Sequence, residues 1–285
     1  MRDFEFSKKT GTIEEYIGDD INVVIPSEID GVPVTAIGEE AFRDCMSIKS
    51  ITIPDSVTYI GEYAFDNCIK LENINIPNAL TIIEDSTFNF CTSLKSISIP
   101  NNITEIGNDA FSNCRSIENI IIPDSVKSIG KCAFYYCEKL KSIIIPDGVT
   151  SIDECVFTFC NSLESVVIPD SVTDIGKGAF EYCRSLKNVT LPKSITTIGE
   201  GAFWHCDSLK SIDIPGSVTT IESCAFWGCK YLENVNILDG VTTIYGCAFA
   251  DCVSLKSVTI PKSVTFIGED AFANCPLYDT ERILL

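Results

Sequence analysis

The chain has 285 residues and carries 40 acidic against 21 basic side chains, a formal net charge of −19. Nucleic acid and anionic membrane surfaces both select clustered Lys and Arg, so they are the poorest partners for this surface, and no apolar run reaches the roughly 18 residues that cross a bilayer. His205 is the only histidine, which removes multi-histidine zinc sites and any triad that needs a second candidate base.

Residues 4–17, FEFSKKTGTIEEYI, hold two short alternating runs around Lys8-Lys9-Thr10-Gly11 and predict a β-hairpin. It would cover the first open edge, so 1–20 reads as an N-terminal cap. Val23 and Ile25 before Pro26 make a degenerate first strand, and five extra residues, Glu28 to Val32, follow before the pattern settles at Ile37. Such irregularity is expected of a terminal repeat.

From there one unit of 23 residues recurs without slipping: Cys45, Cys68, Cys91, Cys114, Cys137, Cys160, Cys183, Cys206, Cys229, Cys252 and Cys275. Phe42 to Phe272 keep the same step three residues earlier, and Ile37 to Ile267 five before that. The template is Leu-x-x-Ile-x-Ile-Pro-x-Ser-Val-Thr-x-Ile-Gly-x-x-Ala-Phe-x-x-Cys-x-Ser. Its first part, as in Leu94, Ile97 and Ile99, alternates and stops at Pro100, predicting a strand of three to five residues. Its second part, as in Gly130 to Cys137, spaces Ala, Phe and Cys so that all three can face inward from one helical or 3₁₀ turn. Strand and turn repeated in parallel make a solenoid with one shared core. In one copy the inward set is Leu140, Ile143, Ile145, Val149, Ile152, Val156, Phe157 and Cys160.

These IP, IG and AFxxC elements resemble the BspA-like (Treponema-type) leucine-rich repeat, over roughly residues 21–276. The resemblance implies a right-handed parallel leucine-rich-repeat solenoid of about 11 repeats, mainly β, forming a single domain over 1–285: cap 1–20, repeats 21–275, C-terminal cap 276–285. It also implies a binding scaffold on bacterial or protist surfaces, whose partners are host extracellular proteins or glycans. Met1 to Phe6 contain no basic segment leading into an apolar core. Either a leader lies outside this chain, or the protein is cytoplasmic.

The eleven periodic thiols are expected buried and reduced, as small hydrophobes. Cys132, Cys155, Cys224 and Cys247 sit five residues before periodic ones, in a column that elsewhere holds Glu40, Tyr63 and Asp109. Neighbouring repeats could bring Cys132 and Cys155, or Cys224 and Cys247, within disulfide reach; free thiols are the alternative.

Function must lie in outward positions. Lys49, Glu72, Lys95, Glu118, Lys141, Glu164, Lys187, Lys210, Glu233 and Lys256 nearly alternate in sign, and the next column is Ser or Asn throughout. Both suit ladders that fix register. Two columns change in mid-chain. Between the inward strand residues, polar side chains give way to Ile121, Ile144 and Val167. In the two positions before the periodic cysteine, polar termini give way to Phe90, Tyr135, Tyr136, Phe159, Tyr182, Trp204, His205 and Trp227. An aromatic patch rimmed by polar residues suits a protein or sugar partner; the alternative is that the rings only pack on neighbouring repeats. Oligomerisation could use the same patch or the solenoid ends.

No phosphate-binding glycine loop occurs, the Cys spacings are not those of a zinc ribbon, and the carboxylates follow the repeat rather than converging. The reading is a non-enzymatic binding scaffold without a cofactor; a structural or assembly protein and an intracellular interaction module are the alternatives.

Overall fold

The computed structural model describes residues 3–277, in two compact units, Met1–Leu140 and Lys141–Leu285. Both are built from the same parallel turns. The expected cap residues 278–285 lie outside the described residues.

Each turn carries two strand positions. At the first, in the N-terminal unit, Asn22–Val24 pairs in parallel with Ser50–Thr52 and that with Asn73–Ile74. In the C-terminal unit Ser142–Ile144 pairs with Ser165–Val167, and Ser211–Ile214 with Asn234–Ile237 and Ser257–Thr259. These strands have two to four residues, shorter than the alternation suggests, and residues 95–99 and 118–122 form none. Ile97, Ile99, Ile120 and Ile122 are nevertheless buried, so burial rather than ladder bonding holds the alternation there.

The second position, at Val-Thr-x-Ile, is the more regular. Six two-residue strands from Ser151–Ile152 to Phe266–Ile267 form one parallel sheet in the C-terminal unit, partners 23 residues apart. In the N-terminal unit the hairpin Phe4–Ser7/Thr12–Tyr16 joins this ladder, Thr12–Tyr16 lying parallel to Ala36–Ile37. The five extra residues after Ser27 form a tight antiparallel turn, Glu28–Ile29 with Val32–Pro33, through Asp30 and Gly31. Both have positive φ, as a two-residue hairpin requires.

The AFxxC segment contains no helix among the described residues. A helical turn would direct its N–H groups back along the segment. Here only alternate ones do: Thr158 N donates to Cys155 O and Cys160 N to Phe157 O, while Cys155, Phe157 and Phe159 donate to Lys177, Ala179 and Glu181 of the next repeat at 2.8–2.9 Å. Turning those donors along the stack puts two residues per repeat at positive φ, Cys155 at 58° and Phe159 at 61°. The turn is thus half a third ladder, and it satisfies backbone groups that a solenoid would otherwise bury unpaired.

Phe and Cys line the inside of that turn. The periodic Phe residues from Phe42 to Phe249 are fully buried, and within each unit successive rings lie 5.2–5.5 Å apart. Tyr16 of the hairpin stacks on Phe42 at 5.2 Å and starts the N-terminal series. Cys68, Cys91, Cys114, Cys183, Cys206 and Cys229 each direct Sγ at the Phe carbonyl 26 residues earlier, 3.1–3.3 Å away. The column therefore selects a small apolar group that also donates, which alanine cannot do and serine does at greater cost of burial. Cys45 and Cys275, at the two ends of the series, are only half-buried, against the expectation of eleven buried thiols.

Candidate functional site

The residue just before each periodic cysteine has positive φ throughout, from Asp44 at 60° to Asn274 at 60°. Gly has no Cβ and Asn and Asp can hydrogen-bond locally, so they tolerate this conformation; other residues bring Cβ against the following carbonyl oxygen at a cost of about 1–2 kcal/mol. Asp44, Asn67, Asn113, Gly228, Asp251 and Asn274 obey that preference. Phe90, Tyr136, Phe159 and Tyr182 do not, at φ of 55–61°, while His205, a type that also visits this region, sits at 55°.

The polar copies make hydrogen-bonded rungs. Asn67 Nδ2 donates to Asp44 Oδ1 at 2.7 Å, and one position earlier Asn89 Nδ2 donates to Asp66 Oδ1 at 3.0 Å. Burial pushes the Asp66 carboxyl up, opposed by Arg43, whose Nε lies 3.3 Å away. Phe90 is exposed beside these rungs and rims a cavity of about 400 Å³ with Arg43, Tyr63, Asp66 and Asn89. Farther along the N-terminal unit, Tyr135 and Tyr136 meet edge to face at 5.0 Å and the Arg115 guanidinium lies 5.3 Å over Tyr136.

In the C-terminal unit the rungs are rings. Phe159 stacks on Tyr182 at 4.6 Å and Tyr182 on His205 at 4.9 Å. The adjoining column stacks Trp204 on Trp227 at 4.9 Å. Gly228 ends the Phe–Tyr–His series because a Cβ there would come within 2.6 Å of the His205 ring. All five rings are half-buried, and each is stacked on a neighbour. Polar groups rim them: Trp227 Nε1 donates to Asp251 at 2.6 Å, Asp207 lies near His205 Nδ1 and Lys230, and Arg184 sits over Tyr182. The Trp227 N–H, and then Asn274, hold the Asp251 carboxyl below its usual range. Trp204 Nε1 is buried with no acceptor among the described residues.

The aliphatic residues stand on another part of the repeat, at the first strand position. Ile144 and Val167 are register partners, 66% and 55% exposed, in the C-terminal unit, and Ile121 is 83% exposed in the N-terminal unit. The residues grouped by sequence are therefore two features, a strand-borne aliphatic pair and a turn-borne ring stack. Sequence reading missed the positive φ beneath the rings; its signal was the Asn, Asp and Gly filling the same column elsewhere.

Cys224 and Cys247 are half-buried free thiols, and Cys132 and Cys155 are half-buried, all four at positive φ. Among the described residues no three His, Cys, Asp or Glu side chains are placed to hold a metal ion, and no helix is long and apolar enough to cross a membrane.

The model of the BspA type leucine rich repeat region matches residues 22–141, 104–230 and 150–278. Among solved structures, a Treponema pallidum leucine-rich-repeat protein is 37% identical, with TM-score 0.61 over 65% of this chain and 87% of that one. A leucine-rich-repeat protein from Bacteroides ovatus is 28% identical, with TM-score 0.63 over 97% and 91%. Comparison with curated proteins gives no match. Repeats of this kind generally serve as protein-interaction scaffolds. The periodic Phe–x–x–Cys turn, the paired parallel ladders and the match across 22–278 make this chain a member of the BspA-type leucine-rich-repeat family.

Proposed function

We propose that the protein is a non-enzymatic, surface-exposed or secreted binding module whose contact residues are the turn-borne rings, with Phe159, Tyr182, His205, Trp204 and Trp227 as the principal set. The observation that carries this reading is the occupation of a positive-φ position by large rings where the same fold elsewhere places Asn, Asp or Gly. Ring stacking contributes about 0.5–1.5 kcal/mol per pair beyond the area it buries, the same order as the backbone cost, so the two oppose one another and the exchange leaves half-exposed aromatic surface where other repeats are polar. The unpaired Trp204 N–H supports the same conclusion, since a buried donor without an acceptor costs about 1–3 kcal/mol. Residues strained without structural return cluster at binding sites.

The stacking of the rings on one another occupies faces that a sugar would need, which favours a protein partner. The family is commonly surface-associated, which supports the placement at the cell surface. The test is retention of extracellular proteins by immobilised wild type and by the F159N/Y182N/H205N variant. The expected result is a set of proteins lost from the variant while its melting temperature is unchanged; an identical set would overturn the reading. The exposed Ile144 and Val167 pair favours a second reading, self-association, which light scattering of Ile144→Thr against wild type decides.

A further inference from the structure

The charge column along the first strand breaks its alternation once, where Lys187 is followed by Lys210. Lys187 is held by Glu164 at 2.6 Å, and Glu233 by Lys256 at 3.0 Å. Among the described residues Lys210 is left with no carboxylate partner, next to a like charge, in a chain whose net charge is −19. Like charges stacked across neighbouring strands cost stability. A second column breaks at the same place. Ser93, Ser116, Ser162, Ser185, Ser208 and Ser254 share one position of the repeat, which Lys70 and Lys139 also occupy, and only Tyr231 brings an aromatic residue there, 62% exposed.

The two departures converge. Lys187, Ser208, Lys210, Tyr231 and Glu233 line one cavity of about 460 Å³ within the C-terminal unit. Its volume lies in the range of small-molecule sites. It offers an unpaired cation, an exposed aromatic face, a hydroxyl, and a carboxylate that can accept from ligand hydroxyls while staying bound to Lys256. Unlike the stacked rings, Tyr231 has no ring partner among the described residues and is 62% exposed, which leaves aromatic surface for the apolar C–H side of a pyranose. Glu233 in the wall disfavours the second charge of a phosphate dianion and leaves a singly charged group the better fit.

We propose that this cavity binds a carboxylated sugar, a uronate or a sialate residue. Lys210 pairs with the carboxylate, Tyr231 packs on the ring, and Ser208 and Glu233 bond its hydroxyls. The site is separate from the ring stack and does not depend on the protein-binding reading.

Saturation-transfer NMR and titration at low salt test it, using methyl β-glucuronide, the methyl glycoside of N-acetylneuraminic acid, neutral methyl glucoside and inorganic phosphate. At least one carboxylated sugar should saturate the protein, and the stronger of the two identifies the source. Methyl glucoside and phosphate should bind roughly tenfold more weakly or not at all, the ratio expected for loss of one charge-assisted contact. Lys210→Gln and Tyr231→Ser should each weaken the sugar by about the same factor, while Lys49→Gln, in the same charge column, leaves it unchanged. Tyr231→Ser installs the residue that most copies of this position hold, so folding is preserved, which the melting curve checks. Failure of both carboxylated sugars to saturate at millimolar concentration, equal binding of methyl glucoside, tighter binding of phosphate, or unaltered affinity in both variants would each overturn the proposal.

Discussion

Two positions one residue apart in every turn behave in opposite ways. The periodic cysteine faces inward and does not vary from Cys45 to Cys275, whereas the residue before it is Asn67 or Asp251 in some repeats and Tyr182 or Phe159 in others. Backbone conformation does not explain the variation, since φ stays within 55–68° in all of them. The repeat imposes the conformation because the N–H at that position must reach the next turn. Once the fold no longer depends on the side chain, the position is open to other selection. The inner position has no such freedom where the thiol is enclosed and bonded to a carbonyl, as at Cys68 and Cys229.

The comparison is broken most severely at high pH. Burial pushes the thiols of Cys68, Cys91, Cys114, Cys137, Cys183, Cys206 and Cys229 up from about 9. The folded pKa lies above the unfolded one, so the unfolded chain releases these protons first. Stability is complete below about pH 9 and falls as pH rises, by up to about 1.4 kcal/mol per thiol per pH unit. Urea midpoints near pH 8 and pH 10 should therefore differ by the equivalent of several kcal/mol; equal midpoints would refute the burial of the column. Next in size, Phe180→Ala in the inner ring series should cost about 3–5 kcal/mol, read from the same unfolding curves.

Smaller effects belong to the outer face. Trp227→Phe removes the 2.6 Å bond to Asp251 and should cost about 1–2 kcal/mol, with the Asp251 carboxyl returning toward its ordinary range by NMR titration. Lys187→Gln breaks the exposed pair with Glu164 and should cost less than about 1 kcal/mol.

The inner half of each repeat was legible from sequence because burial leaves a periodic mark: the Phe, Cys and Ile columns at a 23-residue step predict the parallel solenoid. The alternation of Lys95 with Glu72 and of Lys187 with Glu164 likewise appears as ion pairs along the stack. What was illegible depends on direction rather than spacing. Phe–x–x–Cys fits a 3₁₀ turn equally well, and only the N–H groups of Phe157 and Phe159, aimed at the next repeat, distinguish the two. Strand length failed similarly, since Ile97 and Ile99 alternate as a strand does without ladder bonds. For the candidate site, sequence placed the rings outward but could not show that Phe159, Tyr182 and His205 cover one another's faces. Of the cavity at Tyr231 only the Lys187–Lys210 interruption of the charge column was in the sequence reading, because the convergence of that column with Tyr231 is a property of the folded turn.

Replacement of Tyr182 by Asn tests most directly whether the outer rings serve the fold. The variant loses stacking on Phe159 and His205 and regains a residue at ease at positive φ, two changes of similar size and opposite sign. The unfolding free energy of Tyr182→Asn should thus lie within about 1 kcal/mol of wild type. A loss of about 3 kcal/mol or more, the size seen when a core ring is removed, would show that the stack is structural and contradict its assignment to recognition.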